Sequence, residues 1–238
     1  MQVLTDTTVP LKMIYLIITL AIAALIAGPQ LWVRYVLWRH STEIGDMPGS
    51  GSELAQHLIE RFKLEGVKVI KAEPDQNYYS PAEKIVALSP EIYHGKSVTA
   101  VAVAAHEIGH AIQFCKEEPV SKLRDRYLRR ALQIKRVGAS ILVFAPILTF
   151  AVKTPAIALW MGAIAVITML SSALMYVAIL PEEYDASFNK ALPILKEGYL
   201  PEHLIGSARS VLKAAALTYV AAALLDVLRL WRWIRFIR

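Results

Sequence analysis

Ten residues near the middle of the chain constrain its fold and chemistry most strongly. Residues 104–113 read Ala-Ala-His-Glu-Ile-Gly-His-Ala-Ile-Gln, so His106 and His110 lie four positions apart in an apolar run. On an α-helix, residues i and i+4 share one face. Both imidazoles can therefore bind one zinc ion, about 2.0–2.1 Å from each nitrogen. Glu107 also faces that point, where it can take a proton from metal-bound water.

The residues before this H-E-x-x-H motif predict the helix that carries it. Residues 98–105 are small and mostly apolar, and Ser97 is a suitable N-cap. Polar side chains on a buried helix are costly unless they are used. The alternative is a pair of core histidines bound to backbone carbonyls, which would leave Glu107 unexplained.

Composition indicates a membrane protein with a modest soluble part. Hydrophobic residues make up 55% of the 238 residues, the formal net charge is +6, and the mean hydropathy is +0.42. The positive charge is attributed to loops on the cytoplasmic side. No aromatic-basic pattern suggests nucleic acid as a partner. Cys115 is the single cysteine, which excludes an intrachain disulfide, and it is interpreted as a helix-end residue.

Three apolar stretches predict transmembrane helices. Residues 11–33 are long enough to cross a bilayer and are interpreted as an uncleaved anchor. A signal peptide cleaved near residues 21–23 is the rival, but the basic residues follow the run instead of preceding it. Residues 137–152 and 156–180 predict a hairpin across the bilayer around a turn at 153–155. The basic segment 122–136 then lies on anionic lipid and places His106 on the cytoplasmic side.

The segment between these stretches is the most water-soluble. Ser52 is predicted to cap a helix from Glu53 to about Leu64, and residues 67–70 and 84–89 are predicted strands, with a turn-rich loop at 75–82. An edge strand beside the motif helix can bind an extended peptide by main-chain pairing. A purely structural hairpin remains equally possible.

Acidic residues follow the predicted hairpin and return to the side of His106. Glu182, Glu183 and Asp185 either complement the positive end of a helix dipole or supply a third zinc ligand, since catalytic zinc commonly has three protein ligands and a water. Spacing alone leaves the choice among the three carboxylates open. Residues 211–230 are apolar again and are read as a fourth span or an embedded helix, although the arginines that follow disagree with the positive-inside rule.

Three blocks of the chain resemble the YugP-type neutral zinc metallopeptidases, a family of small bacterial membrane proteins. The first block is Tyr79 to Gln113, which holds the motif. The second, Pro181 to Ser187, is similar to the family signature P-x-E-[FY]-D-A-S. The third is Ala214 to Ala222, with Leu-Thr-Tyr-Val at 217–220. A more distant likeness is to the HtpX-like membrane metalloproteases, in which a glutamate on a later helix is the third ligand.

The resemblance implies roles for individual residues. His106 and His110 become zinc ligands, and Glu107 becomes the general base. Glu183 becomes the third ligand because it occupies the glutamate of the signature. Asp185 is implied to orient a histidine through its free ring N–H. Glu182 departs from the family, which usually has an apolar residue there.

The predicted function is that of a membrane-embedded zinc metalloendopeptidase that hydrolyses peptide bonds by Glu107-assisted attack of zinc-bound water on peptide or protein substrates. The alternative is a non-catalytic zinc-binding membrane scaffold or adaptor. A metal transporter is disfavoured because residues 137–180 hold no acid or histidine. The oxyanion donor is left open among Tyr93, His94, Arg209 and Tyr219, and the oligomeric state is also open.

The predicted fold is a mostly α membrane protein with a zincin-like H-E-x-x-H helix and a small β-hairpin or sheet, attached to three or four transmembrane helices. The lipid bilayer is then a partner and the location is a multi-pass cell membrane protein. The expected segments are an anchor at 1–39, a cytoplasmic-side metallopeptidase region at 40–136, a transmembrane hairpin at 137–180, a third-ligand segment at 181–210, and a C-terminal apolar helix with a basic tail at 211–238.

Overall fold

The computed structural model describes residues 8–222 and 224, and these form a mostly helical chain with one small sheet. The α-helices are α1 (Thr8–Arg39), α2 (Gly51–Arg61), α3 (Pro90–His94), α4 (Val98–Cys115), α5 (Lys122–Val152), α6 (Pro155–Tyr184), α7 (Leu192–Ile194) and α8 (Glu202–Ala216). The strands are β1 (Lys68–Lys71), β2 (Tyr78–Ser80) and β3 (Ile85–Leu88). Two π-helical segments, Asp185–Ala191 and Leu195–Tyr199, flank α7, and a 3-10 turn at Pro119–Ser121 precedes α5.

The motif helix α4 is the centre of the fold. Every residue from Val98 to Gln113 is buried, and α2, α8 and the π-helical segment Asp185–Ala191 pack around it. The predicted N-cap is confirmed, since the Ser97 hydroxyl accepts a hydrogen bond from the Ala100 amide. Gly109 permits a close approach of neighbouring backbone: a Cβ there would lie 2.6 Å from the Ala186 carbonyl oxygen. Small residues on α4 thus let neighbouring backbone come close on several sides.

The sheet has the strand order β1-β3-β2. Strands β1 and β3 pair in parallel, and β2 pairs antiparallel to β3. Strands predicted at 67–70 and 84–89 agree with β1 and β3, whereas β2 lies in a stretch that was predicted as loop. The Tyr79 ring of β2 packs on Phe114 of α4, with centroids 5.8 Å apart. The edge strand is therefore fixed against the C-terminal end of the motif helix.

Helix α2 begins earlier than predicted because a different serine caps it. The Ser50 hydroxyl accepts a hydrogen bond from the Glu53 amide, and the Glu53 carboxylate accepts one from the Ser50 amide. This reciprocal capping box satisfies two helix-end donors. Ser52, the predicted cap, lies inside the helix.

Helices α5 and α6 form a long antiparallel hairpin. The predicted turn at 153–155 is present, with Lys153 in the left-handed conformation and Pro155 as the first residue of α6. Because α6 returns along α5, its last turn lies beside the start of α5, where Glu182 binds the Arg124 backbone. The hairpin thus carries the acidic segment back to α4.

The predicted transmembrane helices are wrong. In the described part of the chain, residues 8–222 and 224, none of the helices meets the length and apolarity needed to cross a membrane. The prediction took apolar composition as sufficient. In α5 the first half is the basic segment 122–136, which leaves a run shorter than the roughly 20 apolar residues that a span needs, and α5 and α6 pack on each other.

The prediction of three or four spans is therefore corrected. Three further predictions depended on those spans and are corrected with them: the lipid bilayer as a partner, the multi-pass location and the cytoplasmic-side placement of the site. Large apolar side chains on α1, α5 and α6, such as Ile17, Phe150 and Leu159, are exposed. The predicted basic tail, Arg229, Arg232, Arg235 and Arg238, lies outside the described residues, as do residues 1–7.

Candidate metal centre

Three side chains from two distant parts of the chain meet beside α4. His106 and His110 project from α4, and Glu183 projects from the last turn of α6. Glu183 Oε2 lies 3.3 Å from His106 Nε2 and 3.3 Å from His110 Nε2. One ligand atom from each residue lies within 4.8 Å of the other two. The structure thus brings together the three residues that the sequence analysis nominated as zinc ligands.

A hydrogen bond to Ser187 orients His106. The Ser187 hydroxyl donates to the Leu212 carbonyl oxygen at 3.1 Å and lies 2.9 Å from His106 Nδ1. A hydroxyl has one proton, so Ser187 must accept from His106. The proton of the neutral ring is then on Nδ1, and the Nε2 lone pair faces Glu183.

Gln113 orients His110 in the same sense. Its amide nitrogen donates to the Glu182 carbonyl oxygen at 3.0 Å and to Asp185 Oδ2 at 2.9 Å. The amide oxygen is left to accept, and it lies 3.0 Å from His110 Nδ1. The proton of His110 is therefore on Nδ1. Burial lowers the pKa of His110, which favours the neutral ring that a metal ligand requires.

Asp185 reaches the histidines only through another side chain. It was expected to orient a histidine directly, but it holds the Gln113 amide, which in turn contacts His110. Asn189 and Lys190 also bind its carboxylate. Burial would raise the pKa of Asp185, but these hydrogen bonds and the Lys190 charge lower it. The carboxylate is thus kept as an acceptor for Gln113.

Glu107 lies on α4 between the two histidines and is buried. Its Oε2 atom has no hydrogen-bond partner among the described residues. A buried polar atom without a partner is costly unless a ligand or water occupies the adjoining space. Glu107 therefore presents a free acceptor beside the three-residue cluster.

Glu182, the departure from the family pattern, binds the start of α5. Its Oε2 accepts a hydrogen bond from the Arg124 amide at 2.6 Å, and it is fully buried. Burial raises the pKa of Glu182 to about 8. Because this carboxylate is engaged by the helix amide, Glu182 is placed to fix α5 relative to α6.

Arg124 joins Glu183 to Tyr219. Its Nη2 donates to Glu183 Oε1 at 3.3 Å and to Tyr219 Oη at 2.8 Å, and the guanidinium carbon lies 5.3 Å from the centre of the Tyr219 ring. Burial alone would raise the pKa of Glu183, but the positive charge around it lowers the pKa well below its usual range. With both rings neutral, the Arg124 guanidinium is the cation that remains beside this carboxylate. Glu183 is thus held ionised, with Oε1 on Arg124 and Oε2 toward the histidines.

The donor set fits a catalytic zinc site. Two neutral imidazole nitrogens and one ionised carboxylate are a common ligand set for catalytic zinc, which keeps a further position open. Glu107 directly follows His106 on α4, and its Oε2 has no hydrogen-bond partner among the described residues. Sequence reasoning missed Gln113, Ser187 and Arg124 as contributors. Gln113 had a local signal, since it lies three residues after His110 on the same helical face.

Among the described residues, no hydrogen bond or ion pair joins the oxyanion candidates Tyr93, His94 and Arg209 to this cluster. Tyr93 and His94 end the short helix α3 and contact each other edge to face, with centroids 4.9 Å apart. Arg209 is exposed on α8. Of the four candidates, Tyr219 is linked to the cluster by hydrogen bonds, because Arg124 donates to both Tyr219 and Glu183.

Comparison with known proteins confirms the family resemblance. The profile of a family described as "putative neutral zinc metallopeptidase" matches residues 14–238. A curated relative, named "putative membrane protease YugP", from Bacillus subtilis (strain 168), is 28% identical over 227 residues, which cover 93% of this chain and 96% of the relative. The comparison with solved structures found no match.

Proposed function

Because the chain belongs to the neutral zinc metallopeptidase family, we propose that it is a zinc-dependent endopeptidase in which Glu107 is the general base. Zinc is the metal that this family implies, and the cluster of His106, His110 and Glu183 fits it. The observation that carries the proposal is the free, buried Glu107 oxygen beside that cluster. A scaffold that only stored zinc would have no use for it.

His106 and His110, through Nε2, and Glu183, through Oε2, would hold the metal. Zinc, when bound there, supplies a Lewis acid that lowers the pKa of a water and polarises a carbonyl. Ser187 and Gln113 keep the two Nε2 lone pairs available by holding the ring protons on Nδ1. Arg124 holds Glu183 in place.

Glu107 moves the proton. It accepts a proton from the attacking water as the water adds to the scissile carbonyl, and it then gives that proton to the leaving amine. Both transfers need a carboxylate oxygen without a competing donor, which is the condition of Glu107 Oε2 among the described residues. The buried site also limits access of bulk water to the reacting groups.

The test is the variant Glu107→Gln, which keeps the shape of the side chain and removes its basicity. Zinc per chain should stay at the wild-type value, while hydrolysis of labelled casein should fall by about 10²–10⁴-fold. Glu91→Gln, at an exposed glutamate in the first turn of α3, is the matched control and should keep full activity. Chelation should abolish the wild-type cleavage. Wild-type zinc binding without any zinc-dependent cleavage would instead favour the scaffold.

A further inference from the structure

A large cavity adjoins the metal centre. Its volume is about 740 Å³, and it lies between strand β2, the end of α4 and the start of α5. Tyr78 and Tyr79 line one side, and Arg124 and Tyr219 line another. The cavity is large enough for several residues of an extended peptide.

The proposed zinc ligands do not line this cavity. His110 and Glu183 are at most 1% exposed, whereas Arg124 and Tyr219 contact both sides. Arg124 bonds Glu183 on the metal side, and Tyr219, which Arg124 also bonds, faces the cavity. The Arg124–Tyr219 pair is therefore the contact between the cavity and the metal centre.

The hydroxyl of Tyr219 has a proton to donate. Among the described residues it takes part in one hydrogen bond, which it accepts from the Arg124 guanidinium at 2.8 Å. A hydroxyl can donate while it accepts, so its own proton is not committed. Accepting from a cation strengthens the hydroxyl as a donor, because successive hydrogen bonds polarise one another.

We propose that the Tyr219 hydroxyl donates a hydrogen bond to the scissile carbonyl oxygen of a peptide that lies in this cavity and extends to the metal centre, as negative charge develops on that oxygen. The proposal rests on the proposed peptidase function and adds the missing oxyanion donor to it. Tyr219 keeps its proton throughout, so it contributes by hydrogen bonding alone. Arg124 is a positioning residue, since it acts by orienting Tyr219 and Glu183.

The size of the expected effect separates this role from a structural one. Removing one oxyanion donor costs about 10²–10³-fold in kcat. A donor that binds the transition state alone lowers kcat and leaves KM nearly unchanged. A hydroxyl needed only to build the metal centre would lower zinc content instead.

The experiment compares wild type, Tyr219→Phe, Tyr35→Phe and Glu107→Gln. Tyr219→Phe removes one oxygen atom and keeps the ring that stacks on Tyr176. Tyr35→Phe makes the same deletion at an exposed tyrosine on α1 whose hydroxyl also accepts a hydrogen bond from an arginine, Arg39. Each protein is assayed for zinc per chain, for kcat and KM on a fluorogenic casein peptide, and for the Kd of an N-phosphoryl dipeptide, whose tetrahedral oxyanion imitates the transition state.

The proposal expects Tyr219→Phe to keep its zinc and KM, to lose about 10²-fold or more in kcat, and to bind the phosphoryl dipeptide correspondingly weakly. Tyr35→Phe should match wild type. A Tyr219→Phe enzyme within threefold of wild-type kcat, with Glu107→Gln inactive, would overturn the role of Tyr219 and leave the peptidase intact. Loss of zinc in Tyr219→Phe would also overturn it. A wild type with zinc but no cleavage would overturn the peptidase function and this proposal with it.

Discussion

Two neutral side chains, Ser187 and Gln113, determine which nitrogen of each histidine faces the cluster. Neither is charged, and neither needs to touch a metal. Each accepts a hydrogen bond from Nδ1 because its own donors are already used, by Leu212 in one case and by Glu182 and Asp185 in the other. The two imidazoles thereby acquire the same tautomer, and Nε2 is the free nitrogen of both rings.

Ser187→Ala should weaken zinc binding. Without the hydroxyl, His106 loses the acceptor that fixes its tautomer and ring orientation, and the loss of such a partner typically costs 10–100-fold in metal affinity. Zinc affinity is measured by competition with a chromophoric chelator. Ser210→Ala, whose hydroxyl bonds the Gly206 carbonyl oxygen on α8, is the control and should bind as wild type. Equal affinity in both variants would contradict the assigned role of Ser187.

The sequence predicted the part of the site that local spacing encodes. His106, Glu107 and His110 share one helix, so their proximity follows from helical geometry. Glu183 came from the family resemblance, and spacing alone left Glu182 and Asp185 equally open. Ser187 and Arg124 could not be predicted, because their partners lie 81 and 59 residues away in the chain and nothing local marks such a contact.

At the scale of elements, the contact between α4 and the π-helical segment Asp185–Ala191 depends on one glycine. A Cβ on Gly109 would lie 2.6 Å from the Ala186 carbonyl oxygen and 3.1 Å from its Cα. Both are backbone atoms, so a rotamer change cannot relieve the clash. Because Glu183 and Ser187 flank Ala186, any displacement is transmitted to the metal centre.

Gly109→Ala should destabilise the protein and weaken zinc binding together. Alanine has a helix propensity about 1 kcal/mol more favourable than that of glycine, but overpacking against backbone costs about 1–3 kcal/mol. We expect overpacking to dominate, so the free energy of unfolding should fall. Gly206→Ala in α8 is the matched control, since its Cβ would meet nothing within 4 Å. It should raise the free energy of unfolding by up to about 1 kcal/mol. Denaturant unfolding measures the free energy of unfolding of each variant. Stabilisation of both Gly109→Ala and Gly206→Ala would refute the packing argument.

The capping box of α2 predicts a pH-dependent contribution to stability. The hydrogen bond from the Ser50 amide is the main cause that lowers the pKa of Glu53 below its ordinary value of 4.5. A carboxyl whose pKa falls on folding stabilises the protein above its unfolded pKa, and this contribution is lost as the pH falls through the folded pKa. The difference in unfolding free energy between wild type and Glu53→Gln should therefore be full at neutral pH and vanish in the acid range. Glu60→Gln, an exposed position on the same helix, should show a smaller change. A difference that grew on acidification would contradict this assignment.

Elements were predicted well where the sequence pattern is strong and local. Strand β1 has two apolar residues between two lysines, and strand β3 is continuously apolar. Helix α4 has a serine N-cap followed by mostly apolar residues. Strand β2 was missed because residues 75–82 are rich in turn formers, and pairing with β3 overrides that preference. The transmembrane helices were wrongly predicted because the prediction rested on apolar content alone, and none of the described helices has the length and apolarity that a membrane crossing needs.

At the scale of the whole molecule, the candidate centre joins two parts of the chain that are far apart in sequence. Glu183 is 73 residues from His110, and the α5–α6 hairpin lies between them. The unfolded chain cannot hold the three ligands together without closing that loop, which costs conformational entropy. Metal binding to the centre is therefore coupled to the docking of the end of α6 on α4.

This coupling predicts that zinc stabilises the folded chain and that Glu183 is needed for the effect. A ligand that binds only the folded state stabilises it by about 4 kcal/mol at a free concentration 1,000 times its Kd, which for a chain of this length raises Tm by on the order of 10 °C. We expect such a rise when zinc is added to metal-free wild type. Glu183→Ala should show little or no rise, because two histidines alone bind zinc weakly. Glu202→Ala, an exposed glutamate at the start of α8, should respond as wild type. Scanning calorimetry with and without zinc measures each shift within one variant, so any change in the stability of the metal-free protein cancels. A full zinc-dependent rise in Glu183→Ala would show that another group is the third ligand, and Glu182 would be the next to replace.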